Sequence, residues 1–104
     1  MSPTALIAED EPLLAQALYT ELQRSWPALT LLPVVADGIS AVQVALQTLP
    51  QVLFLDIRMP GQSGLEAAAD IAEQWPTALP FPALVFVTAY DQYAVQAFET
   101  QAID

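Results

Sequence analysis

Four short apolar runs, near residues 4 to 9, 29 to 36, 51 to 56 and 83 to 88, alternate along this chain with segments whose apolar residues return every three or four positions. Punctuation falls between them, at Trp26-Pro27, Asp37-Gly38, Gly61-Gln-Ser-Gly64 and Trp75-Pro76. Strand runs alternating with helical segments are the pattern of βα units on a parallel sheet, so the chain is expected to be α/β with a helix after each strand. Pro12 suits a first helical turn, and Leu14, Ala17, Leu18 and Leu22 form the expected apolar stripe of the first helix. Ile39, Val42 and Leu46 line the second helix, and Leu65, Ala68, Ala69, Ala72 and Trp75 the third, where Ser63 is placed to cap. A fourth helix is expected from about Asp91, with Ala94, Ala97 and Phe98 on one face. Pro33 interrupts the second strand, and Pro80 and Pro82 flank the fourth, so both should be short or irregular.

Acidic residues close two of the apolar runs. Glu9, Asp10 and Glu11 follow Thr4-Ala-Leu-Ile-Ala8, and Asp56 follows Gln51-Val-Leu-Phe-Leu55. If both runs are buried parallel strands, these carboxylates emerge together at the carboxyl edge of the sheet, where open α/β folds place their sites. Two like charges about 4 Å apart repel by roughly 4 kcal/mol at an effective dielectric near 20, so such a cluster needs protons or a cation. All-oxygen ligands favour a hard ion, Mg2+ first.

Asp56 ends a strand and precedes a glycine-containing turn, Ile57-Arg-Met-Pro-Gly61, into a helix. An aspartate so placed can attack a phosphoryl group whose oxygens are neutralised by a nearby Mg2+. Asp10 is the expected direct ligand, with Glu9 acting through water and the backbone carbonyl of Arg58 completing the protein share of an octahedron. Thr88 ends the fourth apolar run, where its hydroxyl can donate to a phosphoryl oxygen, and Ala89 beside it leaves room for that group. Taken singly, an acidic triplet is more often a solvated loop and a strand-terminal Asp more often a helix cap or turn former. It is their joint placement at the ends of the first, third and fourth strands that points to chemistry.

With 104 residues the chain makes one domain. Having neither cysteine nor histidine, it excludes disulfides, thiolate catalysis, sulfur-ligated metals, the usual zinc ligand and the usual general base. Twelve acids stand against Arg24 and Arg58 alone, a net charge of −10 that repels nucleic-acid backbones. No apolar run is long enough to cross a bilayer, and the first is not preceded by a basic secretion-signal region, so a cytoplasmic protein is expected.

Three stretches together resemble the receiver domains of two-component response regulators: Ala8-Glu-Asp-Glu-Pro-Leu-Leu14, Leu55-Asp-Ile-Arg-Met-Pro-Gly61 with Gly64, and Val85-Phe-Val-Thr-Ala-Tyr-Asp-Gln-Tyr-Ala94. The resemblance spans essentially the whole chain. Val95-Gln-Ala-Phe-Glu-Thr-Gln-Ala-Ile-Asp104 looks most like receivers that precede a LytTR-type DNA-binding domain. It implies a flavodoxin-like (CheY-like) doubly wound parallel sheet, strand order 2-1-3-4, in which Asp56 accepts a phosphoryl group from a sensor histidine kinase. Glu9 and Asp10 would hold Mg2+, Thr88 would sense the phosphoryl group, and a DNA-binding output domain outside this chain would act on transcription. Glu9 departs from the commoner aspartate of the acidic pair.

Family receivers continue through an aromatic switch residue, a lysine followed by proline at the end of a fifth strand, and a fifth helix, and this chain has no lysine. A receiver truncated before the fifth strand and fifth helix is therefore expected, as is self-association through the uncovered fourth strand and a bare sheet face bearing Leu6, Ile7, Leu53 and Leu55. Phe98 is expected to pack on the sheet, whereas Tyr90 and Tyr93 suit packing and partner contact equally. Two other functions fit less well. An interaction module unable to be phosphorylated accords with the missing lysine, while an aspartyl-phosphate phosphohydrolase would want an Asp where Arg58 stands.

Overall fold

Thr4–Ala8 and Val52–Asp56 form strands β1 and β3, and both are buried on their two faces, which is why their sequences read as unbroken apolar runs. In the computed structural model, which describes residues 2–87, they are joined by α1 (Pro12–Ser25), β2 (Thr30–Leu31) and α2 (Gly38–Thr48), and followed by α3 (Gly64–Gln74) and β4 (Ala83–Val87). The strands make one parallel sheet in the order β2-β1-β3-β4, the expected doubly wound arrangement. No helix among the described residues is long and apolar enough to cross a membrane.

Local chemistry sets the helix starts. Pro12 opens α1, where its fixed φ suits the first turn and its missing N–H leaves no bond unmade. Asp37 caps α2 by accepting from the Ser40 backbone N–H at 2.7 Å. Ser63 caps α3 as expected, within a reciprocal capping box: Glu66 N–H donates to Ser63 Oγ at 3.1 Å and Ser63 N–H donates to Glu66 Oε1 at 3.0 Å. The second apolar run gives only a two-residue ladder. Beyond Pro33 the chain returns to β1 at a single bridge, Val35 to Ala8.

Strand alternation divides the core. Leu6, Ala8, Leu53 and Leu55 pack with Ala41 and Ala45 of α2 and with Ala68, Ile71 and Trp75 at α3. Ala5, Ile7, Val52 and Phe54 face the other way, against Leu18, Tyr19 and Leu22 of α1. The expected bare face carrying Leu6, Ile7, Leu53 and Leu55 is thus corrected: neighbouring residues of a strand point to opposite faces, and all four are fully buried. The expected fourth helix, with Tyr90, Tyr93 and Phe98, lies outside the described residues. Of the two surfaces on which the expected self-association rests, the sheet face is buried, and β4 stands at the border of the sheet among the described residues.

The helix faces match the sequence reading in part: Leu18 and Leu22 of α1, Val42 and Leu46 of α2, and Ala68 and Trp75 at α3 pack inward as expected, and the rest differ. In α1 the inward positions are Ala15, Leu18, Tyr19 and Leu22, with Leu14 39% exposed. In α2 they centre on Ala41 and Ala45, leaving Ile39 52% exposed, and in α3 on Ala67, Ala68 and Ile71, leaving Leu65 56% exposed. Ala69 and Ala72 are exposed as well. Small inward residues let the helix backbones settle closely on the sheet, while bulkier side chains at the helix starts stay outside.

This assignment of faces is directly measurable. Ile71→Ala should lower the unfolding free energy in urea by about 2–5 kcal/mol, whereas Leu65→Ala should change it by about 0.5 kcal/mol or less. Comparable losses from the two would place the inward stripe of α3 where the sequence pattern put it.

Candidate functional site

The register of β1 on β3 decides where the acidic residues emerge. Ala8 pairs with Leu55, so Glu9 and Asp10 leave β1 level with Asp56, the last residue of β3. The Glu9 backbone N–H donates to the Val35 carbonyl at 2.9 Å, which anchors the exit of β1 against the second run. One carboxylate oxygen from each of Glu9, Asp10 and Asp56 lies within 4.8 Å of the others. Glu9 and Asp56 are buried, at 4% and 7% exposure, and Asp10 is exposed.

Backbone contacts hold Asp56 in place. Ile57 N–H donates to the Val87 carbonyl at 3.2 Å, and Gly64 N–H to the Ile57 carbonyl at 2.9 Å. Gly64 sits so close to the Asp56 carbonyl that a Cβ there would collide with it, which fixes glycine at the start of α3. This role was missed in the sequence, where Gly64 read only as a turn former. The Arg58 backbone N–H points back to Asp56 Oδ1 at a long 3.4 Å. An open cavity of about 540 Å3 adjoins the cluster, with Asp10, Arg58, Met59, Ser63 and Glu66 among its walls.

Glu9 lies deeper than a water-mediated role suggested. Its Oε2 accepts from the Glu11 N–H at 3.0 Å, so the side chain folds back beneath the entry to α1. Burial pushes its carboxyl up to about 7; the Glu11 N–H works against this, and the nearby Asp56 and Asp10 charges add to it. Burial also raises Asp56, with a hydrogen bond from Glu9 lowering it and contact with Asp10 raising it. Uptake of a proton by Glu9 as pH falls towards about 7 is one of the two ways this carboxylate cluster relieves its repulsion. The other is a cation, and three carboxylates with converging oxygens are a donor set that fits a hard divalent ion such as Mg2+. Thr88 and Ala89 lie outside the described residues; Val87, which precedes them in the chain, pairs with Asp56.

Comparison with known proteins bears on this cluster. Residues 5–104 match the family described as the response regulator receiver domain. An uncharacterized response regulatory protein of Vibrio cholerae is 48% identical over 101 residues, covering 97% of this chain and 37% of that protein. The sensory transduction protein LytT of Oceanobacillus iheyensis is 38% identical over 99 residues, 95% of this chain and 39% of its own length. The chain thus spans under two fifths of these relatives. Among solved structures, the response regulator protein TrrA of Thermotoga maritima, crystallised in complex with Mg2+ and BeF, superposes with a TM-score of 0.73 at 26% identity, over 95% of this chain and 82% of that one.

The raised Glu9 carboxyl has a consequence for stability. Between the ordinary value of 4.5 and about 7, folded Glu9 holds a proton that the unfolded chain has released, so metal-free stability falls as pH rises through this window. Asp37, held low by Ser40, and Glu21, held low by Arg24, finish titrating beneath it. In chelator, urea melts at about pH 5 and about pH 7.5 should show a larger loss for the wild type than for Glu9→Gln. Equal losses would mean that Glu9 is ionised throughout.

Proposed function

The chain belongs to the response regulator receiver domain family, and on that premise we propose that Asp56 is its phosphoacceptor, taking a phosphoryl group from a sensor histidine kinase. The observation that carries the reading is the convergence of the Glu9, Asp10 and Asp56 carboxylates at the ends of two paired strands. Glu9, Asp10, Asp56 and the backbone carbonyl of Arg58 are the groups that would hold Mg2+. When bound, the ion supplies positive charge against the phosphoryl oxygens and against the crowded carboxylates.

The transfer itself asks little of the protein beyond positioning. An ionised Asp56 oxygen forms a bond to phosphorus as the phosphorus–nitrogen bond of the donor's phosphohistidine breaks, and the bonding pair leaves on the imidazole. Asp56 is held for this by the backbone bonds of Ile57 and Gly64, and by the capped start of α3 immediately beyond. Glu9, seated behind it, keeps the proton off Asp56 whenever one proton is shared between the two. Thr88 is proposed to bond a phosphoryl oxygen beside the small Ala89. The domain accepts one phosphoryl group and relays its charge rather than turning over as an enzyme. This places the domain, residues 1–104, in the cytoplasm with its kinase, and assigns transcriptional output to a DNA-binding domain beyond it.

Incubation with Mg2+ and acetyl phosphate, followed by intact mass measurement, tests the reading. The wild type should gain the mass of one phosphoryl group, and Asp56→Asn should gain none. Asp10→Asn should weaken Mg2+ binding by about tenfold or more, given the loss of one carboxylate charge. An unchanged wild-type mass at every donor concentration would favour a receiver-shaped interaction module, and continuous release of phosphate a phosphohydrolase.

A further inference from the structure

At the end of the sheet opposite the carboxylates, the chain leaves α2 and α3 into the walls of one cavity, of about 330 Å3. Leu49 and Pro50 form one side, and Trp75, Pro80, Phe81 and Pro82 the other. Trp75 and Phe81 meet edge to face, with ring centroids 5.5 Å apart at 77°. The Trp75 Nε1–H donates to the Pro80 carbonyl at 3.1 Å, which fixes the loop against the helix end. Phe81 keeps 41% of its surface exposed.

The electrostatics of this end are one-sided. The last carbonyls of a helix carry partial negative charge and favour a cation. The last turn of α1 has Arg24, but neither α2 nor α3 has a basic residue in its last turn. The last turn of α3 instead carries an exposed Glu73, a like charge at the negative end of its helix. Among the described residues no further basic side chain lies at this end, since Arg58 belongs to the opposite edge of the sheet. An aromatic cavity beside two uncompensated helix ends, in a chain of net charge −10, is complementary to a flat cation with an apolar stem.

We propose that this cavity receives an arginine side chain from a basic segment of a partner protein, its guanidinium lying against Trp75 and Phe81 and facing the ends of α2 and α3. Guanidinium fits better than ammonium because it is planar, weakly hydrated and stacks on aromatic rings. The cavity's size falls within the usual range for small binding sites.

The test is a titration of the isotopically labelled chain with acetyl-Gly-Arg-Gly-amide, following the Trp75 indole N–H, which is distinguished from that of Trp26 by the Trp26→Phe variant. A saturable shift is expected, with binding about threefold or more weaker for the peptides carrying norleucine or lysine in place of arginine. Phe81→Ala should weaken it to a similar degree, and so should Glu73→Gln, an exposed change that leaves the core intact. Equal binding of the norleucine peptide would reduce the site to an apolar groove and overturn the proposal. So would indifference to both substitutions, or no movement of the Trp75 signal at millimolar peptide.

Discussion

The parallel pairing of β1 with β3, in the register that sets Ala8 against Leu55, is the constraint from which the rest of the structure follows. Because both strands are covered on each face, they occupy the middle of the sheet, and the residues after them have one exit, at its carboxyl edge. That exit brings Glu9, Asp10 and Asp56 together. The same burial that positions the carboxylates withholds water from two of them, which is why Glu9 and Asp56 both titrate high. Placement and electrostatic tension therefore share one cause, the depth of the strand ends beneath α1 and α3.

Much of this was legible in the letters and some was not, for identifiable reasons. The central strands and the helix starts could be read because their signals are local: unbroken apolar runs, Pro12, Asp37 and the Ser63-to-Glu66 capping box. The meeting of Glu9, Asp10 and Asp56 could be read because parallel strands end at a common edge. The helix faces could be read only in part: Leu18, Leu22, Val42, Leu46, Ala68 and Trp75 pack inward as expected, whereas the buried alanines at 15, 41, 45 and 67 mark no face by size, and Leu14, Ile39 and Leu65 stay outside. The relative depth of Glu9 and Asp10 could not be read. That depends on the Glu9 N–H bond to Val35 and on the turn at Glu11, neither of which leaves a pattern in the sequence.

Glu9 has one methylene more than an aspartate would, and its geometry uses that length. The longer arm reaches back to the Glu11 N–H while still touching Asp56, so one side chain links the entry of α1 to the nucleophile's position.

The proline in the second apolar run has an effect beyond shortening a strand. The N–H groups of Thr30, Leu32 and Val35 turn inward to Pro3 and β1, so by alternation the outward-facing positions of this border are 31 and 33, and at 33 proline has no amide to offer. The spacing then slips by one residue before Val35, and the border loses its straight run as well as its donor. A foreign extended segment meeting this side finds a single donor, at Leu31, before the ladder is interrupted, so the border is a poor template for further strands without a single lysine gatekeeper.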